Sequence, residues 1–245
     1  MRNMKNIPDL SLVLACYNEA PVFEKSVERI IDILLLSRLS FELIFVDDKS
    51  SDKTPRLIAK ACKKYPRCYP LFHRNNCGRG KTVADGIRIA KGKAVGYIDI
   101  DLEVSPVYIS EMVHIILSDK ADVVIGKRIY RTTFVSIPRE ISSLIYRSLA
   151  DSMVGTGRLD TETGYKFFNR KKILKILPMI RHRHWFWDTE IIVQAKLSGL
   201  RIREVPVLYT RRFDKKSTVR VLSDSLDYLI SLWRLRKRLA TTKKL

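Results

Sequence analysis

The sequence predicts a doubly wound α/β fold, a mainly parallel sheet flanked by helices, and three observations carry that prediction. Apolar runs of strand length recur along the chain, and the stretches between them place apolar residues at helical spacing. The first run is apolar throughout rather than alternating, as a strand covered on both faces must be. A chain of 245 residues, 46% of them hydrophobic, is also long enough to bury the core such a sheet requires.

Leu10 to Tyr17 (LSLVLACY) reads as the first buried strand and ends in Tyr17-Asn18-Glu19. Pro21 opens a helix in which Val27, Ile30, Ile31 and Leu34 form one stripe and Glu24, Glu28 and Asp32 another, at i+4 spacing. A second strand, Phe41 to Val46, runs into Asp47-Asp48-Lys49-Ser50-Ser51-Asp52. The next helix, about Thr54 to Tyr65, leads to a strand near Tyr69 to His73, and Gly78 to Lys91 reads as a further helix. Ala94 to Pro106 (AVGYIDIDLEVSP) follows, an apolar run leading directly into three acidic residues spaced two apart. A helix around Pro106 to Leu117 and a strand at Asp122 to Arg128 complete the alternation, with right-handed crossovers expected. Helical spacing returns at Pro138 to Met153, where Ile141, Leu144, Ile145 and Leu149 share a face. After Ser217, Leu222, Leu226, Leu229 and Trp233 form a stripe, with Asp224, Asp227, Ser231, Arg234 and Arg238 opposite. The chain thus divides into a catalytic-type domain, residues 1–216, and a basic amphipathic helix and tail, residues 217–245.

Lys plus Arg number 46 and Asp plus Glu 26, a formal charge of +20 that points to a polyanionic partner: nucleic acid, anionic lipid or phosphorylated small molecules. The four cysteines show neither a Cys-x-x-Cys pair nor accompanying histidine spacing, so reduced thiols are expected and a zinc site is not. The N-terminus lacks an apolar signal core, and no run approaches the roughly 18–20 apolar residues of a membrane span.

The chemistry centres on Asp99, Asp101 and Glu103. Alternate side chains of an extended strand share a face, so the three are expected to project to one side as the strand ends. Hard cations such as Mg²⁺ or Mn²⁺ take oxygen ligands, and Mg²⁺ is typically held by one or two carboxylates plus substrate phosphates. Open α/β sheets bind ligands at the carboxyl ends of their strands. A solvated acidic turn before a helix begun by Ser105 and Pro106 would carry the same residues, so the rest of the chain must decide. A nicotinamide enzyme is excluded, because Gly-x-Gly-x-x-Gly is absent after the first strand; Gly78-Arg79-Gly80 follows the third. A basic nucleic-acid-binding module would leave the Asp99/Asp101 pair without a purpose.

Ala15-Cys16-Tyr17-Asn18-Glu19, Val46 to Asp52 and Asp99-Ile100-Asp101, each after a strand and in that order, resemble the nucleotide-sugar signatures of the family 2 glycosyltransferases. Gly126-Lys127-Arg128, Asp160 to Lys166 (DTETGYK), Trp187-Asp188-Thr189-Glu190 and Glu204-Val205-Pro206-Val207 resemble the dolichyl-phosphate mannose synthase and polyprenyl-phosphate branch. The resemblance spans about residues 8 to 220 and implies the GT-A fold.

It also implies roles. Tyr17, Glu19 and Asp48 would contact base and ribose, with Ala15 and Val46 contributing backbone, while Asp47 and Asp52 suit turn formation and helix capping. Asp99 and Asp101, with Ile100 between them, would bind metal and donor diphosphate, and Glu103 stands where relatives carry a neutral polar residue, a further metal ligand. Arg128 and Arg139 are matched to the acceptor phosphate, with Ser143 nearby, and Arg212 and Lys216 to a loop over the donor. Asp188 is a general base if the acceptor is a sugar hydroxyl, or an orienting group if it is a lipid phosphate, already an oxyanion at neutral pH. Trp185, Phe186 and Trp187 are either a sugar platform or core. The expected activity is inverting, metal-dependent hexosyl transfer to polyprenyl or dolichyl phosphate, with GDP-mannose favoured as donor and UDP-glucose open. Nucleic acid is not an expected partner. A peripheral place on the cytoplasmic face of an anionic membrane follows, with room for a membrane subunit partner. The C-terminal helix either lies on that membrane or packs its stripe on the domain.

Overall fold

The computed structural model describes residues 7–130, 137–210 and 221–242, excepting the side chains of 137–144, 221–225 and 242. In chain order the elements are β1 (Leu10–Cys16), α1 (Phe23–Leu36), β2 (Phe41–Asp47), α2 (Thr54–Lys64), β3 (Cys68–Phe72), α3 (Arg79–Ile89), β4 (Ala94–Ile98), α4 (Ile109–Leu117) and β5 (Val123–Tyr130). They continue with α5 (Ile137–Val154), β6 (Tyr165–Asn169), α6 (Arg170–Ile176), α7 (Trp187–Leu197), β7 (Ile202–Tyr209) and α8 (Val221–Thr242). Seven strands form one sheet in the order β3-β2-β1-β4-β6-β5-β7. All neighbours run parallel except β6, which is antiparallel to both β4 and β5.

β1 and β2 are buried along almost their whole length because helices cover both faces. On one face α1 and α4 bury Phe23, Ile30, Leu34 and Met112 against Leu12, Phe45 and Phe167. On the other, α3 and α7 bury Val83, Ile87, Trp187 and Ile191 against Val13, Ile44 and Tyr97. Each Val, Leu, Ile or Phe withdrawn from water contributes about 1.5–3 kcal/mol, so these two layers are the main source of stability. A third, smaller cluster joins α5, α7 and α8 through Ala150, Phe186, Val193, Leu232 and Leu235. No disulfide joins the cysteines; burial pushes the Cys62 thiol up to about 11 and Cys68 up to about 12, so both are protonated in solution.

The parallel register aligns Ala15 with Val46 at the carboxyl ends of β1 and β2, beside the end of β4. At that edge three residues other than glycine take a left-handed backbone: Asn18 (φ 56°), Lys49 (φ 63°) and Leu102 (φ 56°). Such conformations cost of order 1 kcal/mol or more and persist only where surrounding bonds enforce them. Here the Asn18 Oδ1 accepts from the Ser51 and Asp52 amides, and Ser50 Oγ accepts from the Asn18 amide. The loops after β1 and β2 are thereby clipped to one another. Asp52 stands one residue ahead of the α2 N-cap position, Lys53, and forms a turn there, accepting from the Thr54 amide at 2.9 Å and the Ala20 amide at 3.1 Å.

Candidate active site at the carboxyl edge of the sheet

β4 ends at Ile98, and residues 99–102 form a turn in which the Leu102 amide donates to the Asp99 carbonyl. The expectation that Asp99, Asp101 and Glu103 share one face of a strand is therefore corrected, since period-two alternation ends with the strand. Asp99 is solvent-facing and turned toward α3, whereas Asp101 and Glu103 line a cavity of about 400 Å³ with Lys25, Arg29 and Tyr108. Glu103 also accepts from the Tyr209 hydroxyl, and Ile100 points into the core, so only its backbone faces the edge. Gly164 makes room for the Asp99 carboxylate: a Cβ there would lie 1.8 Å from Asp99 Oδ2.

The residue that sequence reasoning passed over is Arg79, the first of α3. Its Nη2 donates to Asp99 Oδ1 at 2.6 Å and its Nη1 to Asp188, while the guanidinium lies over the rings of Tyr97 and Trp185 at 5.6 and 5.2 Å. Asp48 fixes where this arginine begins. Its carboxylate is buried and accepts from the Cys77 and Gly78 amides at 2.8 and 2.9 Å, next to His73 Nδ1 at 2.8 Å. A carboxylate at a helix N-terminus is favoured by the exposed amides there, and Gly78, at φ 91°, supplies the turn. Asp48, expected at the nucleotide, holds the start of α3 with these contacts. Tyr17 remains exposed at the edge, and Glu19 is held through its amide by Thr54 Oγ1.

Asp188, in the first turn of α7, is 2% exposed. It receives Lys166 Nζ at 2.8 Å, Arg79 and the Tyr97 hydroxyl. Burial alone would push its carboxyl up, but the Arg79 and Lys166 charges outweigh that and hold it below the usual carboxylate value. Lys166 is itself fully buried, and burial lowers its pKa despite Asp188. Buried and facing two cations, the Asp188 carboxylate holds Arg79 and Lys166 in place.

The two residues after Asp188 are equally committed. Thr189 Oγ1 lies within 3.2 Å of Tyr146, Thr161 and Tyr228 hydroxyls. Glu190 accepts from the Arg181 and His182 amides and, at 2.5 Å, from Arg238 of α8. Trp187 and Phe186 are core, whereas Trp185 is exposed with Arg79 over its ring.

Beside this junction, Arg128 makes a bidentate pair with Asp160 (Nε–Oδ2 2.9 Å, Nη2–Oδ1 2.7 Å) and approaches Glu162 at 3.3 Å. The Asp160 amide donates to Glu204. The separate sequence segments around Arg128, Asp160, Asp188 and Glu204 thus meet in one region. Burial raises the Glu162 carboxyl above its ordinary value although Arg128 opposes it. Arg212 and Lys216 lie outside the described residues, as do the side chains of Arg139 and Ser143.

The mainly parallel seven-stranded sheet flanked by helices, with Asp99 exposed at its carboxyl edge and paired to Arg79, has the GT-A fold. Within that fold class, the Glycosyl transferase family 2 model matches residues 11–177, and the chain belongs to that family; it is a glycosyltransferase. The chain is 28% identical over 242 residues to the glycosyltransferase AglD of Haloferax volcanii, covering 96% of this chain and 39% of that one. It is 26% identical to the dolichyl-phosphate beta-glucosyltransferase ALG5A of Trichomonas vaginalis, covering 94% of this chain and 76% of the relative. Among solved structures, glucosyl-3-phosphoglycerate synthase of Mycobacterium tuberculosis with UDP superposes with a TM-score of 0.69 at 20% identity, over 93% of this chain and 80% of that one. The same mycobacterial enzyme has been solved with Mn²⁺ and UDP, and with Mg²⁺ and UDP. No described helix is long and apolar enough to cross a membrane.

Proposed function

We propose that the chain transfers a hexose from a nucleoside diphosphate sugar to the phosphate of a polyprenyl lipid, with inversion at the anomeric carbon. The observation that carries this reading is Asp99, exposed on the turn after β4 and held at one oxygen by an arginine that a buried carboxylate orients. Asp99 and Asp101 are hard oxygen donors of the kind Mg²⁺ or Mn²⁺ takes, and Gly164 leaves room at the second Asp99 oxygen, although the turn after β4 sends Asp99 to Arg79 and Asp101 with Glu103 to the neighbouring cavity, so in this reading the bound ion and the donor diphosphate draw them together. Such an ion neutralises charge on a departing diphosphate.

In this reading Tyr17 and Glu19, with the backbone of Ala15 and Val46, line the base and ribose side. Arg79, fixed between Asp99 and Asp188, supplies a preorganised positive charge for the donor diphosphate. Arg128 and Arg139 receive the acceptor phosphate, and Arg212 with Lys216 closes over the donor. An acceptor phosphate oxygen attacks C1, the C1–O bond to the diphosphate breaks, and its electron pair leaves with the nucleoside diphosphate. The attacking oxygen is already anionic at neutral pH, so no base is required, which suits the burial of Asp188. Residues 1–216 act as the catalytic unit and 217–245 as its lipid-facing appendage. The names of the relatives, dolichyl-phosphate beta-glucosyltransferases among them, favour UDP-glucose over GDP-mannose.

The test is transfer from radiolabelled UDP-glucose and GDP-mannose to polyprenyl phosphate, with and without Mn²⁺, alongside binding of UDP and GDP. A metal-dependent lipid-linked glucose is expected. Transfer only to free glycans, or nucleotide binding indifferent to metal, would overturn the proposal.

A further inference from the structure

α8 is apolar on two opposite faces. Tyr228, Leu232, Leu235 and Leu239 turn inward onto α5 and α7, with Leu232 and Leu235 completely buried. The stripe legible in the sequence is the other one. Leu226, Leu229, Ile230 and Trp233 are 61, 42, 45 and 51% exposed, and at 3.6 residues per turn they fall within an arc of about 100°. A helix apolar on both sides needs cover on both, and the described residues cover one.

The charges around the exposed stripe say what covers it. Helical geometry puts Arg234 and Arg236 about 80° to either side of its centre and Lys237 on it, one turn beyond Trp233. Lys237 Nζ lies over the Trp233 ring, 3.7 Å from its centroid, so a cation sits on the exposed stripe itself. Asp227 is the sole carboxylate on residues 226–241, and Arg238 turns inward to Glu190. Two copies of this face would bring like charges together in a chain of net charge +20. Anionic headgroups would meet those same cations favourably while the stripe enters the acyl boundary.

We infer that the outward face of α8 docks on an anionic lipid surface through Leu226, Leu229, Ile230 and Trp233, an inference that rests on the lipid-phosphate reading above. The docked helix is tied to the site. Tyr228 meets Thr189 at 3.2 Å and Arg238 meets Glu190 at 2.5 Å, and both partners adjoin Asp188, which holds Arg79. Seating α8 on a bilayer therefore sets the turn that orients the donor-side arginine at a fixed distance from the lipid.

The experiment is co-sedimentation of the full chain with phosphatidylcholine vesicles, with or without phosphatidylglycerol. Binding at least tenfold tighter to the anionic vesicles is expected, weakening at high salt. The L229E/W233E double variant, with an unchanged urea midpoint, should lose more than tenfold, and K237Q about fivefold. Equal binding by the double variant, indifference to phosphatidylglycerol, or a parent dimer that L229E/W233E converts to monomer would each overturn the inference. Transfer to a water-soluble short-chain prenyl phosphate separates the two readings: the double variant should match the parent there. If neither protein transfers to that acceptor, the lipid-phosphate reading fails and the vesicle result stands alone.

Discussion

Asp188→Asn keeps the shape of the side chain and deletes its charge, leaving Lys166 buried without its carboxylate and Arg79 with Asp99 alone. Removing one partner of a buried ion pair costs about 3–5 kcal/mol, because the remaining charge is uncompensated. Against a total stability of roughly 5–15 kcal/mol, the variant should be folded but marginal. With a urea slope of about 3 kcal/mol per molar, the unfolding midpoint should fall by about 1–1.7 M. The double variant Asp188→Asn/Lys166→Met should lose less than the sum of the single losses, since it removes one of the stranded cations. The sign with pH follows from the depressed carboxyl. Its stabilisation is complete above the ordinary carboxylate value of 3.8 and is lost as pH falls through the lower folded value, so the parent–variant gap should be flat from neutral to mildly acidic pH. A midpoint within about 0.3 M of the parent would refute the reasoning. So would an activity loss that titrates near neutrality in an otherwise stable variant, the behaviour of a general base.

Asp99→Asn should lower kcat/KM by roughly 10²–10³-fold and abolish the metal dependence of nucleotide binding, measured by calorimetry with and without Mn²⁺. Gly164→Ala forces a methyl against Asp99 Oδ2, so metal-dependent affinity should fall by more than tenfold even where the unfolding midpoint moves little. Glu162→Gln should stabilise the protein at neutral pH. Its folded carboxyl titrates above its unfolded value, so the ionised form is a cost that grows as pH rises, and the advantage of glutamine should vanish as pH falls below the ordinary carboxylate range.

Much of the architecture was legible. Strands β1 to β5 and helices α1 to α5 follow the apolar runs and stripes, most plainly β1, β2 and β4, which are buried on two faces of the sheet, whereas β3 lies at its edge. β6 and β7 escaped. β6 carries Lys166 as its second residue, which breaks the apolar pattern and makes sense only once Asp188 is brought to it by α7. For α8 the sequence identified one stripe and missed its opposite, since two apolar faces blur a periodicity that assumes one. At the site, the carboxylates after β4 announced themselves by type and spacing. Arg79 did not, although it sits in the Gly78-Arg79-Gly80 run weighed only as a dinucleotide motif. Its partners Asp99 and Asp188 lie 20 and 109 residues away, and no local pattern records such distances.

The opening of α7 has a consequence for how freely this chain can vary. Asp188, Thr189 and Glu190 point in three directions from one helical turn, each to a different structural neighbour. Adding or deleting one residue ahead of them would rotate the set by about 100°, and all three attachments would be broken at once. Single exchanges elsewhere on the surface should be absorbed one at a time, while this triplet behaves as a keyed joint, intact or lost as a unit.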